Sequence, residues 1–573
     1  MEKFFFCLYK KGKLCYNDAV LYDRLTFEEE GNMKTLKASE FFGNKFIPYV
    51  LFSLLVGIPT GFLIFFFKLA ASFVISLSEQ IFGVVRENPI YLPLLVLGAT
   101  LIGVVLGVIL KRAKECRGGG IPTAIASIRG LVPLNWVQGT VVLFFSALLT
   151  FLSGVPLGNE GPSVQMGAAV GEGSSRFSNK TKKEAWERYL MTGGACAGFA
   201  IATGAPLSGM MFAFEEAHRR FTPHLFIVSA ISVLSGFFVQ RELSLLFHTD
   251  FVFLDLTVSE VLPLRFFWVA AIIGAVCGIF SLLFTRLYRV IKKFSKTKAK
   301  RLSRVAKYAI IFGVTALLGF FSADFVGTGH ALIDEILKGK TVWYILLLAL
   351  FIRGILMICA NNEGVTGGIF VPNLTFGAIL ASLISDGLVA LGAVDARYYS
   401  ILVIVGMASF LAAASRTPIT AIVFSAEALC IVSNIFPVIL GVAFSYIIAE
   451  ASGRMSFVDT VIESRTEAAR QGKVGYIVDC HMTVQKGSIA DNMELRDILW
   501  PPTCAVLSVD FKETQAVQHE SHKINEGDVL HLHYQTYDLD GTMELLIAIL
   551  GEQPTDENMR VRKCSEDYLV PLD

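Results

Sequence analysis

Charge is scarce in this chain. Asp, Glu, Lys and Arg make up 17% of the residues against 54% hydrophobic, and the mean hydropathy is +0.58. A soluble globule carries about 25% charged residues, so the shortage excludes a purely soluble protein and favours one dissolved in lipid. The ten cysteines are scattered, without a CxxC or a metal-ligand spacing, which excludes a disulfide framework and leaves them read as free thiols. No GxGxxG is present for a dinucleotide, and no TVGYG-like stretch for a potassium filter. The N-terminal "FFFC" at 4–7 is too short for a signal-peptide core.

Apolar runs are abundant instead, at 46–77, 90–110, 137–155, 225–239, 266–284, 308–321, 343–360 and 435–449. The longest reach the roughly 20 residues that a spanning helix needs. Others are broken by glycine and proline, as in "GGACAGFAIATGAPLSGMMFAF" (193–214) and "GGIFVPNLTFGAILASLI" (367–384). Broken helices at membrane depth survive only where their freed backbone groups are buried or line a polar cavity. This pattern predicts a transporter or channel interior. The net charge of +1 averages lipid-embedded and soluble parts, but basic clusters at 111–117 and 291–304 mark cytoplasmic connections. Residues 1–45 read as an N-terminal cytoplasmic segment, with 1–32 dispensable because Met33 opens a natural start.

Two elements repeat. "APLSGMMFAFE" (205–215) aligns without gaps on "TPITAIVFSAE" (417–427), and "GNEGPSVQMG" (158–167) shares its glycine and proline spacing with "GIFVPNLTFG" (368–377). Pro162 and Pro206 lie 44 residues apart, Pro372 and Pro418 46. Repeated halves with broken helices place a binding site at their interface near the bilayer midplane. A helix starting there presents unpaired N–H groups and about half a positive charge, so converging N-termini favour an anion held by backbone amides. Within "SGVPLGNEGPSVQMG" (153–167) stands one carboxylate, Glu160, and an intramembrane acid in a broken helix is a functional site by default.

In order, "GGGIP" (118–122), "GNEGP" (158–162), "GGIFVP" (367–372) and the paired proline–glutamate helices resemble the CLC chloride channels and proton-coupled chloride transporters, over about 46–457. The resemblance implies an all-α polytopic membrane protein of inverted-repeat architecture, a homodimer with a pore in each subunit, in the plasma (inner) membrane with both termini cytoplasmic. It implies that Glu160 is the gating glutamate, competing with the anion and swinging away when protonated. It also implies that Glu216 is the internal proton-transfer acid, which favours an antiporter, with a passive chloride channel of the same fold as the alternative. In "FAFEEA", Glu215 pairs with Glu427 of the second half whereas Glu216 pairs with Ala428, so Glu215 reads as structural. The central anion site falls on Gly119, Gly161, Ile369, Phe370 and Phe457.

Three departures bear on the anion. Gly119 stands where chloride-selective members have serine, Phe457 where they have tyrosine, and Asn159 where they have Arg or Lys before the gating acid. Two hydroxyl donors are thereby lost, and the site rests on backbone amides. Chloride comes first as substrate; fluoride is second, since the fluoride-exporting branch also departs at the serine and tyrosine positions; nitrate is third.

Beyond 457 the texture changes to alternating strands and a helix, "VGYIVDCHM", "CAVLSVDF", "DVLHLHY" and "MELLIAIL", the pattern of a small soluble α+β domain. Residues 487–534 resemble the C-terminal half of the RCK (TrkA-C) module of bacterial ion transporters. The expected organisation is a membrane domain at 46–457, a linker at 458–473, the RCK-like regulatory domain at 474–552 and a tail at 553–573, the regulator being a small molecule or ion. An RCK-regulated cation system and an intramembrane hydrolase are the alternatives of other classes, distinguished by potassium flux and by a serine-directed covalent probe. The motifs imply no enzyme activity, cofactor, metal or nucleic acid; protons, the anion and the bilayer are the expected partners.

Overall fold

The computed structural model describes residues 46–177, 183–249, 253–254, 260–510, 515–516, 523–554 and 558–564. The expectations for 1–45 lie outside the described residues. Among those described, nine helices are long and apolar enough to cross a membrane. The first half runs α1 (Phe46–Glu87), α2 (Leu92–Arg112), α3 (Ile121–Ile128), α4 (Leu143–Leu152), α5 (Glu160–Ser175), α6 (Lys183–Thr203), α7 (Pro206–Met211) and α8 (Pro223–Phe247). The second half repeats the order as α9 (Phe267–Thr297), α10 (Arg304–Phe321), α11 (His330–Leu337), α12 (Trp343–Glu363), α13 (Phe370–Ala390), α14 (Tyr399–Ser415), α15 (Pro418–Glu427) and α16 (Ile435–Ala451). Outer helices expose Phe73, Leu94, Phe145 and Phe351, as a lipid-facing surface requires. The apolar run at 137–155 resolves into a wide π turn, Gln138–Val142, and the short α4.

Glycine spacing explains the packing of the halves. A Cβ on Gly167 would stand 2.0 Å from the Gly194 carbonyl oxygen, and one on Gly377 would stand 2.2 Å from that of Gly406. These pairs occupy matching places in the two repeats, and they let α5 touch α6 and α13 touch α14 backbone to backbone. The helices that follow α6 and α14 start at proline, whose missing N–H and fixed φ suit the first turn: Pro206 opens α7 and Pro418 opens α15.

The stretch 458–473, expected as a linker, carries a helix, α17 (Phe457–Arg470). Ser456 caps it by accepting from the Asp459 N–H at 2.9 Å, and Val458, Val461 and Ile462 are buried against the membrane domain, so the helix has a packed face rather than free chain. Beyond it lie β1 (Gly475–Thr483), β2 (Met493–Glu494), β3 (Ala505–Asp510), β4 (Gln515–Ala516), β5 (Lys523–Ile524), β6 (Val529–Thr536), α18 (Leu539–Leu550) and β7 (Met559–Cys564). The main sheet has the order β4-β3-β6-β1-β7. Antiparallel pairing of β1 with β6 sets Cys480 opposite Leu532 and Val478 opposite Tyr534 on the buried face, as alternation demands. The expected tail at 553–573 contributes β7, which closes the sheet against β1.

Candidate functional site

The openings of the two repeats bond directly to each other. The Gly158 N–H donates to the Gly368 carbonyl at 2.8 Å and the Gly368 N–H returns to Gly158 at 2.7 Å, so the first glycine of each repeat meets its counterpart. A third opening joins them: the Gly367 N–H donates to the Gly119 carbonyl at 3.1 Å, and a Cβ on Gly161 would stand 2.5 Å from the Gly368 Cα and 2.8 Å from the Gly120 Cα. Only three glycines allow backbones this close. The N-terminal ends of α3, α5 and α13 thus converge, bringing together Gly119, Gly161, Ile369 and Phe370, with Ile369 capping α13 and Phe370 as its first residue. Gln165 braces the junction, accepting from the Gly120 N–H at 3.0 Å and donating to the Glu115 carbonyl at 3.3 Å.

Phe457 comes to the site differently. Its buried ring packs edge-on to Phe284 (centroids 5.1 Å apart) and Tyr288 (5.4 Å), both on α9, while α17 lies against α3. A Cβ on Gly119 would stand 2.2 Å from Leu143 Cδ1, so a larger residue there requires the Leu143 side chain to turn aside. Beside Gly119 is Thr366, fully buried, whose hydroxyl has no hydrogen-bond partner among the described residues.

Glu160 is the first residue of α5 and 1% exposed. Its side chain folds back over Gly158, where a Cβ would stand 2.5 Å from Glu160 Oε2, and this oxygen has no hydrogen-bond partner among the described residues. Its other oxygen lies 3.6 Å from Nε2 of His330. Lys68 of α1 also acts on the carboxylate electrostatically while donating to the Ile201 carbonyl at 3.1 Å near the C-terminal end of α6, where a cation is favoured. His330 is held from behind: buried Arg353 clamps the preceding loop by donating to the carbonyls of Asp324 (3.1 Å), Val326 (2.5 Å) and Gly327 (2.8 Å). Sequence reasoning passed over Lys68, His330 and Arg353. The rule that an ionisable residue inside an apolar span is functional could have found Lys68 in "FFFKLAA" and Arg353 in "LFIRGIL".

The second acid pair separates cleanly. Glu215 accepts from the N–H groups of Ile419 (2.8 Å) and Thr420 (2.6 Å) at the start of α15. Glu427, at the end of α15, accepts from Leu207 (2.9 Å) and Ser208 (2.8 Å) at the start of α7. Each repeat therefore caps the other's broken helix through the same glutamate, a structural use that satisfies four orphan N–H groups. Glu216 takes no part in this exchange. It sits 8% exposed in the π turn Phe212–Ala217, whose backbone is fixed by Arg129 donating to the carbonyls of Glu216 and Ala217, both at 2.8 Å. From that turn a file of rings, Phe212, Phe199, Phe370, Phe424 and Phe253, runs with centroid separations of 5.1 to 5.8 Å to His330 beside Glu160.

A membrane fold in which three helix N-termini converge beside one buried carboxylate has counterparts. The family model described as voltage gated chloride channel matches residues 102–450, more than half of the chain. The chain belongs to this family. Among its relatives is the H(+)/Cl(-) exchange transporter ClcA of Vibrio parahaemolyticus, 28% identical over 412 residues, covering 70% of this chain and 87% of the relative. A second, of the same name, from Cronobacter sakazakii is 28% identical over 373 residues, covering 63% of this chain and 78% of the relative. Solved structures with the same fold include a slow cyanobacterial Cl-/H+ antiporter, with TM-score 0.65, 23% identity and coverage of 73% of this chain and 98% of that one. Another is a CLC-type fluoride/proton antiporter, with TM-score 0.60, 20% identity and the same two coverages, 73% and 98%.

Proposed function

We propose that the chain is a proton-coupled anion antiporter of this family, carrying chloride in exchange for protons, and that Glu160 and Glu216 are its outer and inner proton-handling acids. The observation that carries this reading is the buried carboxylate of Glu160 at the meeting point of three helix N-termini, with one oxygen unpartnered and two basic side chains beside it. Ionised, the carboxylate is itself an anion and competes for the amides; protonated, it loses that attraction and leaves the path to a free anion. Protonation and anion occupancy then exclude each other, which is the coupling an antiporter needs. The names of the relatives support chloride and protons as the transported pair, and the retained Glu216 supports exchange over passive conduction.

Fluoride is the second reading, favoured by the hydroxyl donors missing at Gly119 and Phe457 and by the fluoride/proton antiporter among the structural neighbours. The chain acts as a carrier and not an enzyme, as a homodimer in the plasma membrane with cytoplasmic termini. Its C-terminal sheet is an RCK-like regulatory domain that takes a small molecule or ion. Purified protein in liposomes under opposed chloride, fluoride and nitrate gradients, with protons recorded simultaneously, tests the assignment. Chloride-driven proton uptake is expected, and proton uptake driven by fluoride alone transfers the chain to the second reading.

A further inference from the structure

A cavity of about 360 Å³ opens at the cytoplasmic end of α9, lined by Leu282, Thr285, Arg286, Arg289, Arg454 and Met455. Three of its six lining residues are arginines and none is acidic. No ion pair engages Arg286, Arg289 or Arg454 among the described residues, in contrast to Lys292 and Lys296 farther along α9, which both bind Glu467. Arg289 is oriented by donating to Thr460 Oγ1 at 3.2 Å. One helical turn to either side of Arg286 stand Leu283 and Val290, both exposed, so the cationic cleft adjoins an apolar surface suited to acyl chains. Guanidinium groups match phosphate oxygens in fork geometry, and basic clefts between membrane helices on the cytoplasmic side bind anionic headgroups.

We propose that this cleft is a binding site for the phosphate of an anionic glycerophospholipid, with the acyl chains lying along Leu283 and neighbouring apolar residues of α9. The occupant bears on transport through the chain itself: Arg454 and Met455 immediately precede Ser456 and Phe457, and the Arg454 carbonyl accepts from Arg416 at the end of α14 at 3.3 Å. A headgroup held by Arg286 and Arg454 ties α9 to the strap that positions Phe457, so lipid occupancy steadies the inner end of the anion path.

The test is native mass spectrometry of the delipidated full-length protein in neutral detergent, titrated with phosphatidylglycerol, phosphatidylcholine or inorganic phosphate. Wild type is expected to retain phosphatidylglycerol at least about fivefold better than phosphatidylcholine, and the Arg286→Gln/Arg454→Gln double variant is expected to lose that preference. A control, Lys293→Gln/Lys298→Gln, removes two charges outside the cleft, one in α9 and one just past its end, and is expected to keep it. Three results overturn the proposal: equal retention of the two lipids by wild type, an equal loss in the control, or displacement of bound phosphatidylglycerol by millimolar inorganic phosphate, which assigns the site to a soluble anion. The wild-type comparison needs no variant, so a double variant that fails to fold leaves the proposal still exposed to refutation.

Discussion

Gly119 shows what a serine would have to displace. A Cβ there would stand 2.2 Å from Leu143 Cδ1, the far end of a flexible side chain, so the serine hydroxyl that is missing here could be accommodated only once Leu143 turned away. Gly119→Ser alone forces Leu143 aside, whereas Gly119→Ser/Leu143→Ala makes room for a new donor. Calorimetry should find chloride bound at least roughly tenfold more tightly by the double variant than by wild type, a gain of about 1.5 to 3 kcal/mol for one hydrogen bond to a charged group. Lys68 works at the same scale. Its amino group lies within electrostatic reach of Glu160, so Lys68→Met should raise the chloride concentration for half-maximal flux about threefold or more while Lys68→Arg preserves it, read from concentration-dependent liposome efflux. The contact at Gly119 was not legible in the chain, and Lys68 was marked only as an ionisable residue inside an apolar span, without its partner. Gly119 depends on a tertiary contact, and Lys68 lies alone in an apolar helix with no motif around it, whereas Glu160 announced itself through the glycines and proline that surround it.

Elements carry the symmetry. The matched spacing of Gly158 and Pro162 with Gly368 and Pro372 was readable because close backbone approach leaves glycine no substitute, and the structure turns that spacing into a direct bond between Gly158 and Gly368. The reading of Glu215 as structural, drawn from its pairing with Glu427, corresponds to the reciprocal caps on α7 and α15. What the sequence could not convey is which helix each glutamate caps, since the partner lies more than 200 residues away. Glu215→Ala should leave the N–H groups of Ile419 and Thr420 without acceptors, at a cost of about 1 to 3 kcal/mol, and lower the thermal midpoint of the purified protein. Proton-to-anion coupling of the surviving folded fraction should be unchanged. Glu216→Ala should do the reverse, abolishing coupling with little change in the midpoint. The stretch 458–473 escaped reading as a helix because its polar residues dominate, and only the burial of Val458, Val461 and Ile462 against the membrane domain reveals its inner face.

Over the whole molecule, the soluble sheet is seated on the membrane domain and not strung from it. Arg188 of α6 donates to the carbonyls of Leu499 (3.0 Å) and Trp500 (2.7 Å), Arg220 donates to that of Ile498 (2.9 Å), and the Tyr189 hydroxyl donates to that of Asp497 (2.7 Å). The same Arg188 donates to the Ile128 carbonyl at 2.8 Å, at the end of α3, whose beginning meets the N-terminal ends of α5 and α13. Arg188→Met should loosen this seat, and limited proteolysis of the full-length protein should then release the C-terminal region several-fold faster. The central claim is that one carboxylate, Glu160, makes anion and proton movement mutually exclusive. Its most direct test is simultaneous recording of chloride and proton fluxes in liposomes for wild type and Glu160→Gln. The account predicts that a chloride gradient drives protons uphill in wild type, and that Glu160→Gln passes chloride without protons and without pH dependence. Wild-type chloride flux with no proton movement at any pH, or coupling that survives in Glu160→Gln, would contradict it.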